Sequence, residues 1–212
     1  MISLAPIAVP PNWQLTCERT HFAQTGRYAE AVEFCRRLDR ASADAKVLQF
    51  GTSPEGRPMV ALLISTEGAF TPDRVRRSKR PFLIVNNGIH SGEIEGKDAS
   101  LMLARDILLS RSQAALAQGA NLLIIPVFSC DAHERFGPYN RINQNGPREM
   151  GWRATATNLN LNRDFIKADG GEMRAMLRLL HRWKPDFFFD NHTTDGADFQ
   201  YVVQLPVPVA QS

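Results

Sequence analysis

The sequence lacks the features of a thiol-based site and of a nucleic-acid-binding protein. Its 212 residues contain three cysteines, an odd number without C-x-x-C spacing, so neither a thiolate-ligated metal nor a closed disulfide framework is indicated. We expect Cys17, Cys35 and Cys130 to be small buried thiols. The 25 basic and 22 acidic residues leave a net charge of +3, which is too balanced to indicate a nucleic acid partner.

The sequence also lacks long hydrophobic runs and linkers. No apolar run reaches the ~18 residues of a membrane-spanning helix, so no membrane partner is expected. Residues 1–11 have neither the basic leader nor the long apolar centre of a secretory signal. Cytoplasm is therefore the default compartment, and a secreted or periplasmic location stays open if the amino terminus is trimmed. Repeats and low-complexity linkers are absent, and the 43% hydrophobic content suits one globular domain.

Apolar periodicity predicts secondary structure of both kinds. Three-to-four spacing predicts amphipathic helices over 28–38 and 172–183, and a third helix after Gly92. Short apolar runs predict strands, of which the first two form a hairpin, at 47–50, 59–65, 82–87, 122–127 and 186–190. The fold class we predict is α/β, with a mixed, mostly parallel central sheet and helices on both faces.

The most informative motif is His90-Ser-Gly-Glu93, which follows the predicted strand 82–87. The strand delivers His90 at its carboxyl end, and Ser-Gly turns the chain into the next helix. We expect Glu93 in the first turn of that helix, three residues from His90. A histidine and a carboxylate at this offset can bind one ion together.

A third donor follows the last predicted strand, at His192, about a hundred residues after His90. If the two strands are neighbours, both histidines lie at the carboxyl-end edge of the sheet, where open α/β sheets bind ligands. Two imidazoles and one carboxylate hold a catalytic zinc and leave one position for water. We therefore predict one Zn²⁺ ion bound by His90, Glu93 and His192, and we interpret the remaining histidines as surface or structural residues.

Between the two halves of this site lies Asn158–Phe165, with the sequence Asn-Leu-Asn-Leu-Asn-Arg-Asp-Phe. Taken alone, such a segment is typical of a polar loop with an exposed arginine. Together with the two histidine motifs, and in this order, it resembles the zinc metallocarboxypeptidase (carboxypeptidase A-like) family from about Tyr28 to Val203. The resemblance implies a hydrolase that removes the carboxyl-terminal residue of peptides through a zinc-activated water.

The resemblance also assigns roles to residues outside the metal site. Asn162 and Arg163 match the pair that receives the terminal carboxylate of the peptide, and the planar fork of arginine suits a carboxylate. Arg153, after Trp152, matches the arginine that polarises the scissile carbonyl, with Arg141 and Arg148 as rivals. These arginines lie in the long connection 129–161, which we expect to form one wall of the substrate cleft.

Two departures from the family pattern stand out. Asn160 occupies the position of an aspartate that accepts a hydrogen bond from the first histidine ligand, so we expect weaker zinc binding. The family's general-base glutamate has no counterpart in the twenty residues after His192, where only Asp195 and Asp198 are acidic. We expect an amino-terminal extension at 1–26 and one catalytic domain at 27–212. Because the base has no counterpart here, we expect this domain to be incomplete at its carboxyl end and to contain the metal site without the base.

Three function classes remain open. The first is a carboxypeptidase whose partner is a peptide with a free carboxyl terminus, which the Asn162-Arg163 pair favours. The second is a zinc amidase on N-acyl amino acids, similar to the aspartoacylase and succinylglutamate desuccinylase branch. The third is a non-catalytic module that binds zinc or peptide. The substrate residue preferred at the carboxyl terminus and the oligomeric state are not indicated.

Overall fold

The computed structural model describes residues 9–194, 196–197, 199–201 and 203–204. The strands are β1 (Ala45–Thr52), β2 (Pro58–Ile64), β3 (Phe82–Asn86), β4 (Asn121–Ile125) and β5 (Phe187–Asp190). The helices are α1 (Thr16–Arg19), α2 (Tyr28–Ala41), α3 (Pro72–Arg77), α4 (Glu95–Leu108), α5 (Ala114–Gly119), α6 (Cys130–Glu134) and α7 (Gly171–Trp183), with single 3-10 turns at Pro11–Trp13 and Leu161–Arg163.

The strands form one five-stranded sheet in the order β1-β2-β4-β3-β5. The pairs β3·β4 and β3·β5 are parallel, whereas β2 is antiparallel to both β1 and β4. Four strands therefore run in one direction and β2 opposes them, which confirms the predicted mixed, mostly parallel sheet. The predicted hairpin is also present, because β1 and β2 are consecutive and antiparallel.

Helices cover both faces of the sheet, as predicted. In β4, Leu123 and Ile125 point to the face that α7 covers, while Leu122 and Ile124 point to the face of α2 and α4. This alternation follows from the two-residue period of a strand. The α7 face includes Met173 and Met176, both fully buried, which supports packing as their role.

The boundaries differ from prediction at two points that matter for the site. Strand β4 ends at Ile125, one residue before Pro126, because proline has no N–H to donate to the sheet. Helix α4 begins at Glu95, so Glu93 lies in the turn before the helix and not in its first turn. The prediction for Glu93 was wrong by two residues, because the segment between β3 and α4 continues to Ile94 before the helix begins.

The described part of the predicted amino-terminal extension packs on the domain. Leu15 and Cys17 are buried in the same cluster as the apolar face of α4, and Glu18 accepts hydrogen bonds from Arg105. The domain boundary at residue 27 stays a prediction. All three cysteines are free and buried, as expected. Within the described residues, no helix is both long and apolar enough to cross a bilayer.

Candidate metal centre

The pairing of β3 with β5 brings the two histidine motifs together. Asn86 at the end of β3 is in register with Asp190 at the end of β5. His90 and His192 follow these positions, and the centroids of their rings lie 5.4 Å apart. The site therefore sits at the carboxyl-end edge of the parallel strands, where the sequence placed it.

Glu93 completes the cluster. One donor atom from each of His90, Glu93 and His192 lies within 4.8 Å of the other two, and no other such group occurs among the residues that the structure describes. His192 Nδ1 is 2.9 Å from Glu93 Oε2. The three predicted donors thus lie close together, although they come from distant parts of the chain.

The turn that presents His90 and Glu93 is held by backbone and hydroxyl contacts. Gly88 adopts a φ of +64°, a left-handed conformation that other residues rarely accept. The Ser91 hydroxyl donates to the carbonyl oxygen of Ser129 at 2.6 Å, and the Glu93 N–H donates to the His90 carbonyl oxygen at 2.9 Å. These contacts fix the offset between the two donors independently of helix α4.

The electrostatics of the three donors suit a cation. Burial lowers the pKa of His90 to about 4, so its imidazole is neutral at physiological pH. Burial alone would raise the pKa of Glu93, but hydrogen bonds from His192, Arg141 and the Thr193 N–H outweigh it and lower the pKa to about 2. Hydrogen bonds to Asp190 and Glu93 raise the pKa of His192 to about 9. A metal bound here must displace that proton, as metal binding to histidine does generally.

A buried polar atom without a partner shows whether these residues fit a zinc ion. Nδ1 of His90 is inaccessible to solvent and has no hydrogen-bond partner among the described residues. Leaving such an atom unsatisfied costs about 1–3 kcal/mol, and a neutral imidazole nitrogen is a preferred zinc donor. The donor set therefore fits zinc.

Asp190 and Asn86 are functional candidates that the sequence did not single out. Asp190 Oδ2 lies 3.1 Å from His192 Nε2, and the Asn86 amide donates to Asp190 Oδ1 at 2.8 Å. A carboxylate on the far nitrogen of a ligating histidine orients the ring and increases its basicity. The signal was available, because a carboxylate two residues before a histidine lies on the same side of an extended chain.

The three rival arginines are in different environments. Arg141 is buried, and its guanidinium donates to Glu93 Oε1 at 2.8 Å. The Arg153 guanidinium lies 3.9 Å from the same oxygen and is 41% exposed. Arg148 is exposed and lines a separate surface cavity with Thr16 and Gln24. Two of the three arginines therefore lie beside Glu93, in the candidate metal centre.

Around the pair Asn162 and Arg163, which we name the carboxylate clamp, the contacts differ from those expected for Asn160. The Asn162 amide lies 3.3 Å from His90 Nε2, whereas Asn160 Oδ1 accepts from the backbone N–H of Asn162. Within the described contacts, Asn162 thus takes the place beside His90 that we expected for Asn160. The Arg163 side chain is exposed and donates to the Asn162 carbonyl oxygen at 3.1 Å.

The connection after α6 packs against the turn of the metal centre. The Gly151 N–H donates to the Ser91 carbonyl oxygen at 3.1 Å, and the Trp152 N–H donates to that of Ala132 at 2.8 Å. Trp152 is 44% exposed beside Arg153. The prediction that this connection forms one wall of the substrate cleft stays a prediction. Asp195 and Asp198, the acidic residues after His192, lie outside the described residues.

Comparisons with known proteins point to one family. A family model described as zinc carboxypeptidase matches residues 31–195. Carboxypeptidase 2 of Trichophyton rubrum is 26% identical over 161 residues, which cover 75% of this chain and 27% of that protein. The probable carboxypeptidase 2 of Trichophyton verrucosum (strain HKI 0517) is 27% identical over 175 residues, covering 78% and 29%.

Solved structures share the fold. The metallo-carboxypeptidase from Burkholderia cenocepacia has a TM-score of 0.61 at 19% identity, covering 81% of this chain and 42% of that one. The carboxypeptidase A from Helicoverpa armigera has a TM-score of 0.61 at 20% identity, covering 82% and 47%. The chain spans less than a third of the curated relatives named above and less than half of these two solved chains. Because the family model matches most of the sequence, including His90, Glu93 and His192, this chain belongs to the zinc carboxypeptidase family.

Proposed function

We propose that this chain carries the metal centre and carboxylate clamp of a zinc-dependent metallocarboxypeptidase, which hydrolyses the last peptide bond of peptides with a free carboxyl terminus. The observation that carries the proposal is the convergence of His90, Glu93 and His192, together with the unpartnered Nδ1 of His90. Family membership supports the reaction class. His90, Glu93 and His192 would hold one zinc ion.

Zinc, when bound, supplies Lewis acidity that activates water and polarises a carbonyl. The residues of the chain do the rest. Arg153 is the better candidate for stabilising the developing oxyanion, because its guanidinium is solvent-accessible, whereas that of Arg141 is buried against Glu93. Asn162 and Arg163 would receive the terminal carboxylate, and the exposure of Arg163 leaves it accessible to substrate.

Proton transfer requires a further group. Of the described carboxylates at the centre, Glu93 is a ligand candidate and Asp190 is already bonded to His192 and Asn86. Neither is available to carry a proton from water to the leaving amine, so we assign no general base within the described residues. Binding experiments on this chain are therefore more informative than turnover.

Metal content tests the centre directly. The wild-type chain, purified with zinc in the medium, is expected to contain close to one zinc per chain by mass spectrometry. His192→Ala is expected to lose it, while His181→Ala, an exposed histidine on α7, retains it. Equal and negligible zinc in all three proteins would overturn the proposal.

Ligand binding tests the substrate class. An N-acyl dipeptide with a free carboxyl terminus is expected to bind the zinc-loaded chain at least about tenfold more tightly than its amide, since charge-assisted bonds to arginine are strong. Arg163→Met should remove that preference, and the exposed Arg174→Met serves as the control. A preference for N-acyl aspartate over the dipeptide would favour the amidase class instead.

A further inference from the structure

Arg141 occupies an unusual position for a basic residue beside a cation site. It lies in the connection between α6 and the 3-10 turn 161–163, and its side chain is 4% exposed. Its guanidinium donates to Glu93 Oε1 at 2.8 Å, and Glu93 is itself 4% exposed. An arginine normally weakens an adjacent metal site by repulsion. Its burial against a candidate ligand therefore calls for a physical reason.

Gly92 provides the space that Arg141 uses. A Cβ at position 92 would lie 2.5 Å from Arg141 Cγ, 3.1 Å from Arg141 Cδ and 3.2 Å from the Gly151 carbonyl oxygen. No side chain fits without displacing the arginine stem or the backbone of the connection. The glycine of the His-Ser-Gly-Glu motif is thus matched to an arginine almost fifty residues away in sequence.

The two oxygens of Glu93 have different neighbours. Oε1 accepts the bond from Arg141. Oε2 accepts the Thr193 N–H at 3.2 Å and lies 2.9 Å from His192 Nδ1, beside another candidate ligand. The carboxylate is therefore held at one oxygen and presented toward the cluster by the other.

We propose that Arg141 is a positioning residue that holds Oε1 of Glu93 and so orients the carboxylate for the metal. This role rests on the proposed zinc centre. A carboxylate fixed in this way loses little rotational freedom when the ion binds, and partners of metal ligands typically contribute 10–100-fold to metal affinity.

Arg153 provides a matched control. Its guanidinium lies 3.9 Å from the same Oε1, beyond hydrogen-bond distance. Arg141→Met and Arg153→Met each remove one positive charge near Glu93, but only the first removes a hydrogen bond. Loss of repulsion would increase metal affinity in both variants, whereas loss of positioning decreases it in Arg141→Met alone.

The experiment measures zinc affinity by competition with a chelator, and the absorption spectrum of the Co²⁺-substituted chain. Arg141→Met is expected to bind zinc 10–100-fold more weakly. Its cobalt bands should change in intensity, because Glu93 is no longer held in one orientation. Arg153→Met should retain the wild-type spectrum and lose no affinity. Arg141→Lys, which keeps one donor, should fall between wild type and Arg141→Met in affinity.

The outcomes separate this role from the zinc centre itself. Wild-type affinity and a wild-type cobalt spectrum in Arg141→Met would overturn the positioning role while the centre stands. A wild-type chain that binds no zinc would overturn the proposed function and this role with it. If Arg141→Met does not fold, Gly92→Ala decides, since it displaces the stem and keeps the charge; the same loss of affinity supports the role, and unchanged affinity overturns it.

Discussion

Two buried histidines, His90 and His133, differ in whether their neighbours form a candidate metal site. Both side chains are almost inaccessible, and burial lowers the pKa of each to about 4. His90 lies beside Glu93 and His192, which are donors for a cation. His133 Nε2 lies 3.3 Å from the Nζ of Lys97, itself a cation.

Burial of an imidazole therefore does not by itself indicate a metal site. Lys97 Nζ also donates to the Gly26 carbonyl oxygen at 2.6 Å and lies 3.4 Å from Asp98 Oδ1. The ammonium thus occupies the space beside His133 and would repel any further cation. Around His90, by contrast, Glu93 and His192 each place a donor atom within 4.8 Å of the imidazole, and the three donors together can bind a cation. The predicted structural role of His133 is consistent with this environment.

The largest expected effect comes from removing Lys97, the buried lysine beside His133. Lys97→Met leaves Asp98 and the Gly26 carbonyl oxygen without their cationic partner in a buried region, so we expect a loss of about 3–5 kcal/mol in the free energy of unfolding. Urea unfolding measures it. Lys46→Met, which breaks an exposed pair with Asp39, should cost at most about 1 kcal/mol. Similar losses in the two variants would contradict the distinction.

The next effect is a pH dependence that His133 contributes to stability. Burial, and then the charge of Lys97, lower its pKa from 6.5 to about 4, so the unfolded chain binds the proton more readily than the folded chain. The contribution of neutral His133 to the free energy of unfolding is therefore complete above pH 6.5. It is lost as the pH falls from 6.5 toward 4, by up to about 3 kcal/mol.

The measurement compares thermal or urea unfolding of the wild type and His133→Gln between pH 7 and pH 4. The wild type should lose more stability than the variant over this range, because glutamine does not titrate. His21→Gln, which removes an exposed histidine, should follow the wild-type curve. Parallel curves for wild type and His133→Gln would show that His133 takes up its proton equally in both states.

The smallest effect concerns the partner of His90. Rotation of the Asn162 amide lets its oxygen accept from His90 Nε2–H, and a carboxylate there would increase the basicity of Nδ1. Asn162→Asp should therefore strengthen zinc binding by about tenfold, equivalent to about 1.4 kcal/mol, in a chelator competition. Asn160→Asp should change it less. If Asn160→Asp instead strengthened zinc binding more than Asn162→Asp, Asn160 would be the partner of His90, as the family resemblance implied.

Much of the fold followed from local pattern. Apolar periodicity located α2, α7 and the hairpin, because a buried face must repeat with the period of its helix or strand. The start of α4 at Glu95 was not predictable, since the Gly88–Ile94 turn depends on contacts with the distant Ser129. Such contacts leave no periodic signal in the sequence.

By itself, the sequence determined the sheet class, its helices and the three candidate metal donors, because those depend on residue type, periodicity and order along the chain. Only the tertiary structure decided which groups touch these donors. It placed Asp190 against His192, Asn162 against His90 and Arg141 against Glu93. Side-chain contacts between distant segments depend on strand register and on the path of the 135–160 connection, and both are outcomes of packing the whole core.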